Sequence, residues 1–278
     1  MEVKKMPELP EVETVKENLK KRLINTKIND VKVLYNNIIA YPDTNTFEKT
    51  LKNKKVKDIT RRGKFIIFDL EDYYLLSHLR MEGKYFIKNK NDQINKHEHV
   101  IFNLDNNQEL RYMDTRKFGK MFLIQKENID TIGPLKELGL EPFDKKLTPN
   151  YLKEKIKNKI IPIKTALLDQ SIIAGIGNIY ADEILFLAHV NPLKKSNTLK
   201  EKELNNIIKS TKEVLNKAIA KGGTTIHTYT SVDGIKGTYQ DSLFVHNKEK
   251  ELCKVCQTQI KKIKVGGRGT YYCPHCQK

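Results

Sequence analysis

The stretch MPELPEVE, Met6–Glu13, is the one around which the rest of the chain is read. It sets Pro7 behind an internal methionine, Glu8 beside it, and Pro10 at the head of a pattern in which Leu9, Val12, Val15, Leu19 and Leu23 recur at three- and four-residue spacing. That spacing predicts an amphipathic helix from Pro10 to about Leu23, with Pro10 in the first turn, where the missing N–H has no helical partner to lose. An internal proline nitrogen is an amide with no nucleophilic lone pair. Freed by removal of Met6, Pro7 would present a secondary amine of pKa about 8 before its surroundings act. Such an amine can attack an electrophilic carbon and pass into an iminium. Glu8 is close enough to move the accompanying protons. The same residues also read as no more than a turn and a helix start.

From this helix to about Ile124 the pattern is one of strands. Val31, Val33 and Tyr35 alternate, and Lys64–Leu70 and Tyr73–Leu79 form a hairpin about Glu71–Asp72. Gly83–Lys88, His99–Leu104, Glu109–Tyr112 and Lys120–Ile124 are short runs between polar turns. Strands so spaced predict a β-sandwich, which with the helix gives a first domain over residues 1–131. Pro134, Pro142 and Pro149 mark residues 132–149 as an interdomain linker. Beyond it the period is helical, over Tyr151–Lys159, Ile163–Leu168, Ile179–Leu187 and Leu204–Ile219, with Gly222–Gly223 as a stop. Residues 150–246 therefore form a helical domain, in which the Thr- and Gly-rich Gly222–Gln240 segment is expected to be a mobile loop. The fold class is α+β.

The 278 residues carry a formal charge of +17, a balance suited to a polyanionic partner. Residues 1–147 hold 29 Lys and Arg against 23 Asp and Glu, and residues 148–278 hold 22 against 11, so the smaller half is the more basic. No apolar run approaches the length of a membrane span, so no membrane partner is expected. MEVKK at the start lacks the apolar region of a signal peptide. Two CxxC pairs near the C-terminus suit metal ligation in a reducing compartment, so a cytoplasmic location is expected.

Cys253-x2-Cys256 and Cys273-x2-Cys276, sixteen residues apart, have the spacing of a zinc ribbon over residues 247–278. Four thiolates leave no open coordination position, so the single Zn²⁺ is expected to be structural. His275 lies between the last pair and is not expected to ligate. The hairpin tip, Gly266-Gly267-Arg268-Gly269, suits a phosphate or minor-groove contact through Arg268, and equally a solvated turn. Ala174–Tyr180, AGIGNIY, is a glycine-rich turn opening a helix, which reads either as a phosphate site or as a packing turn.

MPELPEVE, RRGK at Arg61–Lys64, HLRM at His78–Met81, DTRKFG at Asp114–Gly119, GIGNIYADE at Gly175–Glu183 and the four-cysteine hairpin together resemble the formamidopyrimidine-DNA glycosylases. Those bacterial enzymes excise 8-oxoguanine and ring-opened purines. The resemblance runs through almost the whole chain from Met6. It implies a helix–two-turn–helix clamp within residues 150–246, a monomer acting on damaged double-stranded DNA, and a bifunctional glycosylase and AP lyase associated with the nucleoid. Pro7 would be the Schiff-base nucleophile and Glu8 the proton donor. Lys64 would donate the proton for β-elimination and Arg268 that for δ-elimination. His97, Arg116, Lys164, Asn178 and Arg268 would bind DNA. Because the damaged nucleotide must leave the stack, Met81, Arg116 and Phe118 would fill the space it vacates.

On residue type alone Met81 and Phe118 read as core, Arg116 and Lys164 as solvated charges, and KHEHV, with His97 and His99, as an edge strand. Glu183 reads as support for helix architecture. The chain departs from the commoner DPRRFG at Thr115 and Lys117, which loosens the expectation of a rigid loop. Residues Met1–Lys5 precede the expected initiator, and translation is expected to begin at Met6. Three other readings fit: an endonuclease VIII-like glycosylase for oxidised pyrimidines, a non-catalytic zinc-containing damaged-DNA-binding protein if Pro7 is internal, and a zinc-ribbon protein of RNA or ribosome.

Overall fold

A computed structural model describes residues 6–224 and 237–278. The chain divides into two compact units, Met1–Lys136 with Gly222–Gly237, and Glu137–Lys221 with Thr238–Lys278.

The first unit opens with helix α1 (Leu9–Leu23), whose buried stripe Leu9, Val12, Val15, Leu19 and Leu23 is the one its spacing predicts. Glu8 at the N-cap and Glu11 three residues on form a capping box, so two of the first N–H groups are satisfied by side chains. Two sheets follow. One contains β1 (Ile28–Val33), β6 (Lys84–Asn89), β7 (Glu98–Leu104) and β8 (Gln108–Met113), in the order β1-β7-β8-β6. The other contains β2 (Ile39–Tyr41), β3 (Asp58–Arg62), β4 (Phe65–Leu70), β5 (Tyr73–His78) and β9 (Lys120–Gln125), in the order β2-β9-β5-β4-β3. Only the β2–β9 pair is parallel among these. Ile59, Phe68 and Leu75 of one sheet, Val100, Phe102 and Leu110 of the other, and Val12, Val15 and Leu19 of α1 belong to a single core. Each such side chain contributes about 1.5–3 kcal/mol on burial.

Three elements were not foreseen. Strands β2 and β3 are short or polar, and helix α2 (Thr44–Leu51) sits between them, capped by Asp43, which accepts from Thr46 N at 3.0 Å. Strand β7 lies between β1 and β8, so the segment after His97 is an interior strand rather than an edge. Its turn from β6 is pinned by Arg111, which is fully buried. Arg111 donates to Glu109 Oε2 at 2.7 Å, Glu98 Oε2 at 2.9 Å, and the carbonyls of Asp92 and Gln93 at 2.8 and 3.2 Å.

The second unit contains α3 (Pro149–Ile156), α4 (Ile163–Leu168), α5 (Asn178–Leu187), α6 (Glu201–Ala220) and the hairpin of β10 (Lys261–Val265) with β11 (Arg268–Tyr272). Part of the expected linker is built into this unit. Gly139 N donates to Gln170 O at 2.8 Å, and Leu140 bridges Ile173. Among the described residues no helix is long and apolar enough to cross a membrane. The leading residues 1–5 lie outside the described residues, as do residues 225–236 of the segment expected to be a mobile loop. The described ends of that segment are held, Thr224 N by Glu11 Oε1 at 2.7 Å and Thr238 N by Lys221 O at 3.0 Å.

Candidate active site and nucleic-acid interface

In the first unit, Pro7 and Glu8 are buried at the entrance of α1. Glu8 N donates to Glu11 Oε2 at 2.9 Å, which fixes the backbone one residue beyond Pro7. Glu11, a residue that the sequence reading passed over, also accepts from Thr224 N and Thr224 Oγ1 through its other oxygen. It therefore ties the start of the 222–237 segment to the helix entrance. Gly223 there has φ +78°, and a Cβ on it would stand 2.6 Å from Glu11 Oε1, so the close approach requires glycine. The spacing of Glu11 from Glu8 was the available signal, since a carboxylate three residues after the N-cap is the mark of a capping box.

Glu13 joins the same helix to the RRGK turn. Arg61 Nε donates to Glu13 Oε2 at 2.7 Å, and Arg61 Nη1 to Gly63 O at 2.9 Å. Burial works against the charge on Glu13, but hydrogen bonds from Lys16 and Arg61 outweigh it and hold the carboxyl below its usual range. Lys64 follows Gly63 (φ +58°) and is itself buried.

His78 pairs with Phe65 across β4 and β5. Its Nδ1 accepts from Arg80 N at 3.0 Å. Burial first, then the charges of Arg80 and Lys64, bring its pKa down to about 3. It is thus a neutral imidazole with its proton on Nε2. Arg80 adopts φ +54° and turns the chain so that Met81 stands half-buried at the bend.

The DTRKFG loop exposes Arg116 and Phe118, whose guanidinium and ring stack at 4.8 Å. Neither is a core residue, and Phe118 is 50% exposed. The loop keeps its shape without the proline because buried Asp114 accepts from Arg116 N at 2.9 Å and Gly119 N at 2.8 Å. Lys117 sits at φ +60° with its ammonium 4.5 Å from the Tyr35 ring. Of the two histidines, His99 is buried with Nε2 2.8 Å from Asp114 O, while His97 is half-buried at the end of the turn held by Arg111.

In the second unit the glycine-rich turn is braced by Gln170, which accepts from Gly175 N and donates to Ile176 O, both at 2.9 Å. Asn178 begins α5 and donates to Gly269 O at 3.0 Å. Arg268, next along, opens β11 opposite Val265 and is exposed. Glu183 is fully buried and accepts from Phe244 N, Val245 N and His246 N at 2.8–3.0 Å. Burial raises its pKa against the effect of those bonds. Its part is structural, as expected.

Lys164 requires a correction. It was expected to contact the DNA backbone, but it is fully buried. Its Nζ stands 2.7 Å from Asp182 Oδ1, 2.8 Å from Thr270 Oγ1 and 3.0 Å from Gly269 O. An ammonium with three oxygens around it and no exposure does not reach a phosphate. The partners lie up to 106 residues away in sequence, so no local pattern announced them.

The sulfurs of Cys253, Cys256, Cys273 and Cys276 all lie within 4.8 Å of one another. Two of the spacings are 3.9 and 3.4 Å. Tetrahedral Zn–S bonds of about 2.3 Å demand S···S distances of that size, so the cage fits zinc. Hydrogen bonding by Thr258 brings the Cys256 thiol down to about 6, while burial pushes the Cys273 and Cys276 thiols up. The four residues form a structural zinc site, and the ion supplies cross-linking of the hairpin.

The family described as formamidopyrimidine-DNA glycosylase N-terminal domain matches residues 6–121, the corresponding H2TH domain residues 138–230, and a zinc finger found in FPG and IleRS residues 250–278. A formamidopyrimidine-DNA glycosylase of Oceanobacillus iheyensis is 45% identical over 273 residues, 98% of each chain. One of Listeria innocua is 44% identical over 98% of this chain and all of its own. Among solved structures, Lactococcus lactis Fpg in complex with abasic-site DNA has a TM-score of 0.92 at 39% identity, over 98% of this chain and 100% of that one. A complex of MutM with DNA containing carbocyclic 8-oxo-G has a TM-score of 0.91, with the same identity and coverage.

Proposed function

The chain belongs to the formamidopyrimidine-DNA glycosylase family and is a bifunctional DNA glycosylase and AP lyase acting on oxidised purines, and we propose that both steps run through the secondary amine of Pro7 in a chain that begins there. The observation that carries the proposal is the entrance of α1. The family match starts at residue 6, and Pro7 and Glu8 stand buried on a backbone fixed by the capping box.

Pro7 N attacks C1′ of the everted deoxyribose as the bond from C1′ to the base breaks. The base leaves with the bonding pair, and the proton shed by the amine neutralises it through solvent. Glu8 protonates the sugar ring oxygen, the ring opens, and the nitrogen lone pair forms the iminium. The iminium makes the C2′ proton acidic, its loss expels the 3′ phosphate, and a second elimination expels the 5′ phosphate. Lys64 and Arg268 serve the two eliminations as proton donors. Met81, Arg116 and Phe118 hold the vacated stack open. Arg116 carries the donors for the orphaned cytosine, and the exposed Arg116–Phe118 pair supports that role. His97, Asn178 and Arg268 contact the backbone. Zinc supplies no step of the reaction.

Borohydride trapping on a duplex with 8-oxoguanine opposite cytosine tests this. Protein beginning at Pro7 cross-links, and the 1–278 chain with its first residues retained does not. Equal trapping by both forms would remove Pro7 from the chemistry.

A further inference from the structure

We propose that buried Lys164 is a positioning residue that sets Arg268 in register with Asn178, so that the helical turn and the hairpin grip one stretch of DNA backbone together. The inference rests on the DNA-binding reading above and adds to it a residue that touches no DNA.

A connected set of contacts carries it. The carbonyl of Gly269, the residue after Arg268, accepts from both Lys164 Nζ and Asn178 Nδ2, each at 3.0 Å. Thr270 Oγ1 accepts from Lys164 at 2.8 Å and itself donates to Arg268 O at 3.1 Å, so the lysine holds the arginine's own carbonyl through Thr270 and the following carbonyl directly. Asp182 takes the lysine charge through Oδ1 and receives His246 Nδ1 and Tyr271 N through Oδ2, at 2.7 and 3.3 Å. The carboxylate thereby locks α4, α5, the 244–247 segment and β11 to one another. Gly266 at the hairpin tip seats against Thr165, where a Cβ would stand 2.7 Å from Oγ1. The first turn of α4 is thus a socket for the base of the hairpin tip.

A lysine suits this position for reasons of chemistry. Its ammonium donates to the Thr270 hydroxyl and the Gly269 carbonyl while pairing its charge with the Asp182 carboxylate. A neutral side chain would remove the cation from buried Asp182 and leave it only His246 and Tyr271 N. Because Lys164 is fully buried among packed groups, its displacement is transmitted to Gly269.

The test is a mutant cycle on the zinc-loaded chain, with affinity for a duplex carrying a tetrahydrofuran abasic analogue measured by anisotropy across a salt series. Zinc content and thermal midpoint accompany every variant. Lys164→Met and Arg268→Gln each weaken binding by about tenfold or more, as a misplaced contact does. The double variant binds within about threefold of Arg268→Gln, because the lysine acts through the arginine. In the Arg268→Gln background Lys164→Met leaves the salt slope unchanged, whereas a direct phosphate contact would lower it by about 0.9. Losses that multiply, or a slope that falls in that background, overturn the proposal. Should Lys164→Met fail to fold, Thr270→Val removes one lysine partner and the bond to Arg268 O without stranding a charge, and the same cycle applies. A parent protein that does not prefer the abasic duplex overturns the functional reading, while a parent that does, with a multiplicative cycle, overturns this inference alone.

Discussion

Replacing Arg111 with methionine keeps an unbranched stem but removes the guanidinium and its charge. The arginine is fully buried, with Glu98 and Glu109 on its guanidinium at 2.9 and 2.7 Å. Glu98 keeps Lys88 at 2.7 Å, but Glu109 loses its arginine, and the carbonyls of Asp92 and Gln93 lose their donor. Removing one partner of a buried ion pair costs about 3–5 kcal/mol, because the remaining charge stays desolvated. A domain holds only about 5–15 kcal/mol in all. For a unit of this size the midpoint falls by about 2–4 °C for each kcal/mol, so the loss is on the order of 6–20 °C. Calorimetry of Arg111→Met is the measurement. A companion variant with Glu98→Gln and Glu109→Gln added recovers part of the loss, since the cost lies in stranded carboxylates rather than in packing. A stability within about 1 kcal/mol of the parent, or no recovery in the companion, refutes the reasoning.

Further outcomes follow from the same geometry. His78 binds its proton in the unfolded chain near the usual pH of about 6.5 but in the folded chain only near 3. Stability therefore falls as pH drops through that window, at up to about 1.4 kcal/mol per pH unit. His78→Asn keeps an acceptor for Arg80 N and flattens that slope in urea titrations, and an unchanged slope would exclude the histidine. Stripping zinc with a chelator unfolds the hairpin, whose own apolar cluster is small. Duplex affinity is then lost and returns with one equivalent of zinc, while binding that survives a measured loss of metal would contradict the role of the site. Arg116→Ala reduces discrimination between cytosine and adenine opposite the lesion by about 1–3 kcal/mol in single-turnover excision, and unaltered discrimination would take the arginine out of that contact.

The parts of the fold legible in the sequence are those where one segment carries its own pattern. The α1 stripe, the β4–β5 hairpin and the two CxxC turns are of this kind, because periodicity and ligand spacing are local properties. Strand β3, DITRR, escaped because only Ile59 along it is fully buried, so it has no apolar alternation to read. Helix α2 escaped because threonines dilute its pattern, although Asp43 was a readable cap. The roles proposed for Pro7, Arg116 and Phe118 came from resemblance, since their residue types alone pointed elsewhere. Lys164 was misread for a different reason. A lysine looks solvated until Asp182, Gly269 and Thr270 are brought around it by the tertiary fold. Asp114 could not be inferred either, because the bonds that replace the missing proline join its side chain to backbone N–H groups.

The measurement that bears most directly on the chemistry is the position of the borohydride-reduced sugar on the protein. Protease digestion and tandem mass spectrometry of the adduct, formed with 8-oxoguanine duplex and protein beginning at Pro7, place the added mass on the Pro7 nitrogen. A reduced sugar on a lysine, Lys64 included, with Pro7 unmodified, would contradict the account.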